Sequence, residues 1–249
     1  RSKHFATTTM SAVEDKLRDL LAAMEKERSE KGKAEKKDTP AKLSDKEARA
    51  VRTITERFKQ YEAAAPLHVG DIVQWKEGMR NRRFPRAESV AIVTRVYPEP
   101  VYDEKNKESG SPQFRDPSTV ALGVIDEDGD FVEFHYDGRR FQQASMMDVP
   151  QREVAMLRER LQLLNAVETF QPGDIVTWKE GLRNKKHPLP GTAGIIVKAY
   201  DTPLYDKDAG SGSPYFREPL TIVVGVIDDD GDLICFHNDG RRFTHIPPL

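Results

Sequence analysis

The sequence predicts a mainly β protein with helical segments, an α+β fold that contains two copies of a small antiparallel barrel. Three observations lead to this prediction: a long internal repeat, turn dipeptides between short apolar runs, and apolar stripes at helical spacing outside the repeat. The chain has 249 residues, which is enough for one large domain or two small ones.

The internal repeat aligns residues 70–141 with residues 173–243. The first copy opens with GDIVQWKEGMRNRRFP and the second with GDIVTWKEGLRNKKHP. About half of the aligned positions are identical, which is far above chance for a repeat of this length. The second copy lacks one residue in the stretch that corresponds to 103–110. The chain therefore contains a duplicated domain.

Short apolar runs bounded by turn residues predict the strands of each copy. In the first copy they lie at 71–75, 90–97, 119–126, 131–136 and 139–141. The Asp128-Gly129 dipeptide predicts a tight hairpin between the third and fourth strands, because Asp-Gly adopts the backbone that such turns require. A second Asp-Gly precedes the fifth strand. Five antiparallel strands in so short a segment favour a small barrel.

The opening GDIVxW strand, the DGD hairpin and the short closing strand after a DG turn resemble those of the SH3-like small barrels, including Tudor- and KOW-type modules. The resemblance covers each copy. It implies two duplicated SH3-like barrels that bind a peptide or a nucleic acid.

Three apolar stripes at helical spacing predict helices outside the barrels. The first follows a capping box at Ser11–Glu14, the second follows a capping box at Ser44–Glu47, and the third follows Asp148. The stripes are Val13, Leu17, Leu20 and Met24; Val51, Ile54, Phe58 and Tyr61; and Val154, Leu157, Leu161 and Leu164. We expect them to pack against the barrels or each other, with a coiled-coil oligomer as the alternative.

These elements predict the domain boundaries. We expect a vector-derived tail at 1–9, a helical N-terminal region with a charged linker at 10–66, a first SH3-like barrel at 67–147, a linker helix at 148–168 and a second SH3-like barrel at 169–249. The alternative for 1–9 is the end of a transit peptide, because this stretch is basic and lacks acidic residues. We expect a cytoplasmic protein and leave import into an organelle open.

Composition narrows the function classes. No apolar run approaches the ~20 residues of a membrane span, so we expect no membrane insertion. The single cysteine, Cys235, excludes an internal disulfide framework and a cysteine-based zinc cluster. The net charge of −2 does not indicate nucleic-acid binding by itself. The acidic tip 126–130 places its glycine too early for a calcium-binding loop, so we expect a plain hairpin, with no metal site and no cofactor.

The first loop of each copy is a candidate binding site. Arg80-Asn81 and Arg183-Asn184 are identical in the two copies, whereas the positions that follow keep only the positive charge. These residues either hold the loop, through an asparagine turn and an arginine ion pair, or bind a phosphate or carboxylate. Trp75 and Trp178 end the preceding strand and lie either in the core or in the wall of a groove.

The HxDGRRF motif is the second candidate. Strand alternation places Glu133 and His135 on the outward side with Asp137, where a carboxylate would raise the pKa of the histidine. The alternative is a hydrogen bond that holds the turn. In the second copy Cys235, His237 and Asp239 occupy successive alternate positions, which is a weak indication of a nucleophile set and lacks any oxyanion hole.

The insert between the second and third strands keeps a Tyr, a Phe and an Arg in both copies. We expect the insert to pack on its barrel, with Phe114 as the anchor and Arg115 paired with an acid, and the alternative is a binding role. The candidate binding residues are Trp75, Arg80, Asn81, Arg115, His135, Asp137, Arg139, Arg140, Trp178, Arg183, Asn184, Arg217, His237, Asp239, Arg241 and Arg242.

From these features we expect a non-catalytic interaction or adaptor protein that binds a protein partner through tandem barrels. The alternative is a nucleic-acid-binding protein that uses the Arg/Lys-rich first loops. We do not expect an enzyme, because the sequence contains no metal set, phosphate loop or convincing acid–base pair. The oligomeric state stays open.

Overall fold

A computed structural model describes residues 18–26, 44–105 and 108–246. The chain is mainly β, with two five-stranded antiparallel sheets and helical segments. It divides after Thr53 into two compact units, and both sheets lie in the second unit. Residues 18–26 are helical. The predicted capping box at Ser11–Glu14 and most of the predicted charged linker lie outside the described residues.

The elements follow the predicted order. Helix α1 is Asp45–Glu62; the first sheet contains β1 Ile72–Trp75, β2 Ala91–Val101, β3 Ser118–Ile125, β4 Phe131–Tyr136 and β5 Phe141–Gln143; helix α2 is Gln151–Asn165; and the second sheet contains β6 Ile175–Trp178, β7 Gly194–Leu204, β8 Leu220–Ile227, β9 Leu233–Asn238 and β10 Phe243–His245. A short 3-10 turn, which we call the arginine turn, precedes the last strand of each sheet at Gly138–Arg140 and Gly240–Arg242.

The two sheets share one topology. Their strand orders are β4-β3-β2-β1-β5 and β9-β8-β7-β6-β10. The long second strand shifts register at the same place in both, between Val93 and Arg95 and between Ile196 and Lys198. The edge strands do not pair with each other, so each sheet stays open and the predicted closed barrels are not confirmed.

Each sheet curves around its own core. In the first sheet, alternate residues of all five strands meet in one cluster, which includes Val73, Val93, Leu122, Phe134 and Phe141. The second sheet has a corresponding cluster around Val176, Val224 and Phe243. Burial of apolar side chains from every strand on one face holds the curvature without closure of the strand ladder.

Helix α2 covers the other face of the first sheet. The four residues of its predicted stripe, Val154, Leu157, Leu161 and Leu164, are buried. They pack against Ile72, Val90, Ile92 and Phe131, which we call the outer face of the first sheet together with Glu133 and His135. This helix therefore joins the two sheets by packing as well as by the chain.

Helix α1 begins at the predicted capping box. The Ser44 hydroxyl accepts a hydrogen bond from the Glu47 amide at 3.3 Å, and the Glu47 carboxylate accepts one from the Ser44 amide at 2.8 Å. The expected packing of its stripe does not hold at Ile54 and Phe58, which are exposed. The sheet that covers α2 precedes that helix in the chain, whereas the described residues before α1 form no sheet.

Replacement of Leu157 by alanine should destabilise the protein by about 2–5 kcal/mol, because it leaves a cavity between α2 and the first sheet. Ile54, an exposed residue in the stripe of α1, is the matched control. Ile54→Ala should change the unfolding free energy by less than about 0.5 kcal/mol. Urea unfolding measures both variants, and similar losses would contradict the different burial of the two helices.

Candidate binding surfaces

The arginine turn is organised locally and in the same way in both copies. The Asp137 carboxylate caps the turn by accepting a hydrogen bond from the Arg139 amide at 3.0 Å, and it also receives the Arg139 guanidinium at 2.9 Å. Asp239 does the same for Arg241, with distances of 3.0 and 2.6 Å. Both carboxylates are buried. Holding the turn is therefore one role of each predicted aspartate.

The second arginine of the turn has different partners in the two copies. Arg242 is fully buried, and its Nη1 donates to the carbonyl of Phe131 at 2.8 Å and to the carbonyl of Leu182 at 3.0 Å. Arg140 donates to the carbonyl of Met79, which corresponds to Leu182, and is partly exposed. Only the second turn reaches the other sheet.

Glu133 completes this contact between the two sheets. Its carboxylate lies 3.1 Å from the Arg241 guanidinium and 3.5 Å from that of Arg242. Burial alone would raise the pKa of Glu133, but the two guanidiniums lower it to about 2. The carboxylate is therefore charged at neutral pH, and its charge is compensated within the protein.

The prediction that Glu133 and His135 face away from the core of their sheet is correct, but in the first copy this side is covered. All six residues of β4 are buried. The second copy covers them, since Phe216 of its insert contacts the His135 ring edge to face with centroids 5.1 Å apart. Strand alternation predicts the side of the sheet on which a side chain lies, but it does not predict which other element packs on that side.

The predicted His135–Asp137 pair does not form, because Asp137 is held by Arg139 and Tyr61. The Nε2 atom of His135 instead lies 2.7 Å from the Tyr97 hydroxyl. Burial lowers the pKa of His135 to about 4, with Arg95, Arg217 and Arg82 adding to the effect and Glu133 opposing it. The expected increase in this pKa is therefore wrong, and His135 is neutral at pH 7.

The corresponding residues of the second copy are exposed. His237 and Cys235 are exposed on the face of β9 that corresponds to the covered face of β4. The Nε2 atom of His237 lies 3.1 Å from the Tyr200 hydroxyl, and the Asp239 carboxylate is taken up by Arg241. The contacts of His237 and Asp239 therefore do not assemble a nucleophile set with Cys235.

Both tryptophans serve the core. Trp75 is buried and stacks on Phe141 with centroids 4.1 Å apart, and Trp178 makes the same contact with Phe243. The Trp75 indole donates to the carbonyl of Pro85 at 2.8 Å, as the Trp178 indole does to Pro188. These contacts favour the core alternative over the wall of a groove.

The asparagines of the first loops bind the insert of their own copy. The Asn81 amide donates to Asp116 at 3.2 Å, and Asn184 donates to Glu218, the corresponding position, at 2.6 Å. Arg183 pairs with Asp130 of the first copy at 3.3 Å, whereas Arg80 is exposed. The identical Arg-Asn pair thus holds a loop through asparagine and makes a contact between the copies through Arg183.

Acidic side chains neutralise part of the basic first loops. Glu127 pairs with Arg86 at 2.7 Å and also with Arg83, and Lys185 pairs with Glu218 at 2.8 Å. The guanidinium of Arg82 donates to Ser211 of the other copy. These pairings reduce the positive charge that the loops could offer to phosphates.

The arginine that both inserts share packs on a tyrosine ring. Arg115 lies over the Tyr102 ring at 5.0 Å, and Arg217 lies over Tyr205 at 5.5 Å, in place of the expected ion pair with an acid. Both arginines have positive φ, at 49° and 54°. Phe114, the expected anchor, is exposed, although the corresponding Phe216 is buried.

Sequence reasoning missed two lysines that fix the helices to the sheets. The Lys76 ammonium donates to the carbonyl of Gln60 at the end of α1 at 2.6 Å, and the Lys179 ammonium donates to Leu163 at the end of α2 at 3.1 Å. Cations at the carboxyl ends of helices stabilise them. The glycines two residues later have positive φ and lie against Arg57 and Arg160 of the same helices.

These matched contacts extend the repeat to include the helices. If the alignment of Gly70 with Gly173 is continued towards the N-terminus without a gap, Ile54 aligns with Leu157 and Phe58 with Leu161. The identical Lys-Glu-Gly after each tryptophan and the matched apolar spacing were the sequence signals of this longer repeat. Each repeat is thus a helix followed by a sheet.

No family model, curated protein or solved structure matches this chain. None of the helices in the described ranges combines the length and apolarity that crossing a bilayer requires. The described side chains also include no cluster of three His, Cys, Asp or Glu placed to hold a metal ion. The repeat geometry is therefore the basis for a functional interpretation.

Acidification should destabilise the protein through His135. The pKa of His135 is about 4 in the folded state and ordinarily 6.5, so between these values the unfolded chain binds the proton more readily. The stabilisation from neutral His135 is therefore complete above pH 6.5 and is lost as the pH falls towards about 4. The loss attributable to this residue should be on the order of 3 kcal/mol. His135→Gln should flatten this part of the stability profile in urea unfolding, and His237→Gln is the matched control that should keep the wild-type loss.

Arg242→Ala should cost about 3–5 kcal/mol, because it leaves Glu133 and two backbone carbonyls buried with fewer partners. Arg140→Ala is the matched control and should cost about 1 kcal/mol. Thermal and urea unfolding measure both. Equal losses would mean that the two turns act only within their own sheets.

Proposed function

We propose that this chain is a non-catalytic protein-interaction module that binds an amphipathic helix of a protein partner on its second sheet. The binding surface is the face of Ile175, Ile195 and Leu233, with Cys235 and His237 at its side, which we call the open face. These residues correspond to Ile72, Ile92, Phe131, Glu133 and His135 of the outer face.

One observation carries this proposal. Helix α2, Phe216 and the second arginine turn cover the outer face of the first sheet, whereas the equivalent open face is exposed among the residues that the structure describes. Phe131 is 0% exposed, and the corresponding Leu233 is 58% exposed. An apolar patch left in solvent on a sheet whose twin binds a helix is a candidate helix-binding site.

The chemistry of the open face supports the same class of partner. Isoleucine is retained at both sheet positions and leucine replaces Phe131, so the open face stays apolar where the outer face packs against α2. The acidic tip Asp228–Asp232 lies beside it in the chain, as Asp130 lies beside the outer face. A helix with an apolar stripe, followed by a basic turn, would satisfy both features.

The role of the HxDGRRF motif also favours binding over catalysis. In both copies the aspartate is occupied with its own turn, and the arginines serve contacts with backbone carbonyls or carboxylates. Nucleic-acid binding by the first loops stays a prediction, and the pairing of Arg83, Arg86 and Lys185 with carboxylates does not favour it.

A labelled peptide of residues 151–165 tests the proposed site, since this helix is the natural occupant of the equivalent face. Titration with the full chain, followed by fluorescence anisotropy, should give binding in the micromolar range. Leu233→Glu should weaken it by at least about tenfold, because a carboxylate would replace an apolar contact.

The control peptide carries Leu157→Glu and Leu161→Glu and should not bind. Met147→Glu, a change at an exposed position outside the open face, should leave binding of the unmodified peptide unchanged. Binding that is unaffected by Leu233→Glu, or absent altogether, would overturn the proposed site.

A further inference from the structure

The two repeats contact each other through unlike surfaces. The first repeat contributes the outer face of its sheet, Asp130 and Arg82, and the second contributes its helix, its first loop, its arginine turn and its insert. Such a heterologous contact uses one surface from each of two equivalent units. Each repeat carries both surfaces, and among the described residues one surface of each kind stays exposed.

The unused apolar surfaces correspond residue by residue to the ones in use. Ile54 of α1 is 70% exposed, whereas the corresponding Leu157 of α2 is 0% exposed. Phe58 is also exposed, and the corresponding Leu161 is buried. At the other end of the chain the open face is the unused equivalent of the outer face.

The polar and aromatic contacts have unused counterparts as well. Arg183 pairs with Asp130 inside the chain, and their equivalents, Arg80 and Asp232, are both exposed. Phe216 contacts His135, and their equivalents, Phe114 and His237, are likewise exposed. Apolar, charged and ring contacts therefore all have a complementary pair left over, one member in each repeat.

We propose that the partner of the open face is a second copy of this chain, bound head to tail. Helix α1, Arg80 and Phe114 of one molecule dock on the open face of the next molecule. This contact has the same arrangement as the one that joins the two repeats within each molecule. This inference rests on the proposed function, because it uses the same binding face. A heterologous contact of this kind builds rings or open filaments.

One substitution makes the contact between copies weaker than the internal one. Glu133 forms salt bridges with Arg241 and Arg242, and the equivalent residue on the open face is Cys235. The contact between molecules therefore lacks this carboxylate. The contact between copies also lacks the high effective concentration that the chain gives to its own repeats. We therefore expect reversible assembly in the micromolar range, with sizes that increase with concentration.

Two single substitutions in the full chain test the proposal. Ile54→Glu blocks the helix surface, and Leu233→Glu blocks the open face. Both side chains are exposed in one copy of the chain, so each variant should fold, which circular dichroism verifies. In sedimentation velocity the wild type should form dimers and larger species, and each variant alone should stay monomeric.

The decisive sample is an equimolar mixture of the two variants. Ile54→Glu keeps an intact open face and Leu233→Glu keeps an intact helix surface, so the mixture should form a heterodimer. It should form nothing larger, because both outer ends are blocked. Met147→Glu is the control and should assemble like the wild type.

Several results would overturn the proposal. The wild type could be monomeric at about 100 µM. The Ile54→Glu variant could still assemble. The mixture of the two variants, each monomeric alone, could fail to associate. If the wild type is monomeric but the 151–165 peptide still binds the open face, self-assembly fails while the proposed helix-binding function stands. If the peptide does not bind either, both fail.

Discussion

The burial of α2 on the outer face of the first sheet is the contact on which the rest of the structure depends. The four stripe residues of this helix and the residues they cover, including Phe131 and Leu182, form one apolar cluster. Burial of side chains of this size contributes about 1.5–3 kcal/mol each before the cost of ordering is counted. Because α2 leads directly into the second sheet, this packing fixes the second sheet against the first and brings the arginine turn to β4.

The position of that turn explains why a buried arginine and a buried glutamate coexist at the contact. Arg242 reaches two backbone carbonyls, and Glu133 has two guanidiniums within salt-bridge distance. A buried charge is tolerated when its partners are fixed in place, and here the backbone of both repeats supplies or orients them. The cluster gives specificity to a contact whose free energy comes mainly from the apolar helix.

Duplication has placed two copies of one repeat in two environments. The aspartate cap of the Asp-Gly-Arg-Arg turn and the contact of tryptophan with phenylalanine occur in both copies, because these partners lie within the same repeat. The histidine and the outward face of the fourth strand differ in exposure between the copies, because in the first copy the other repeat covers them. The first histidine is buried beside Phe216, and its equivalent, His237, is exposed. The proposed helix-binding face and head-to-tail assembly both follow from this difference.

The sequence by itself determined the repeat, the mainly β class with helical segments, the hairpin of each sheet at Asp128-Gly129 or its equivalent Asp230-Gly231, and the capping box at Ser44. Each of these depends on residues that are close in the chain or on a period that the chain displays. Only the tertiary structure decided that the sheets stay open, that His135 has a lowered pKa, and that Ile54 and Leu157 have opposite exposure at equivalent positions. These properties depend on which repeat packs on which face, and the local pattern, which both copies share, does not contain that information.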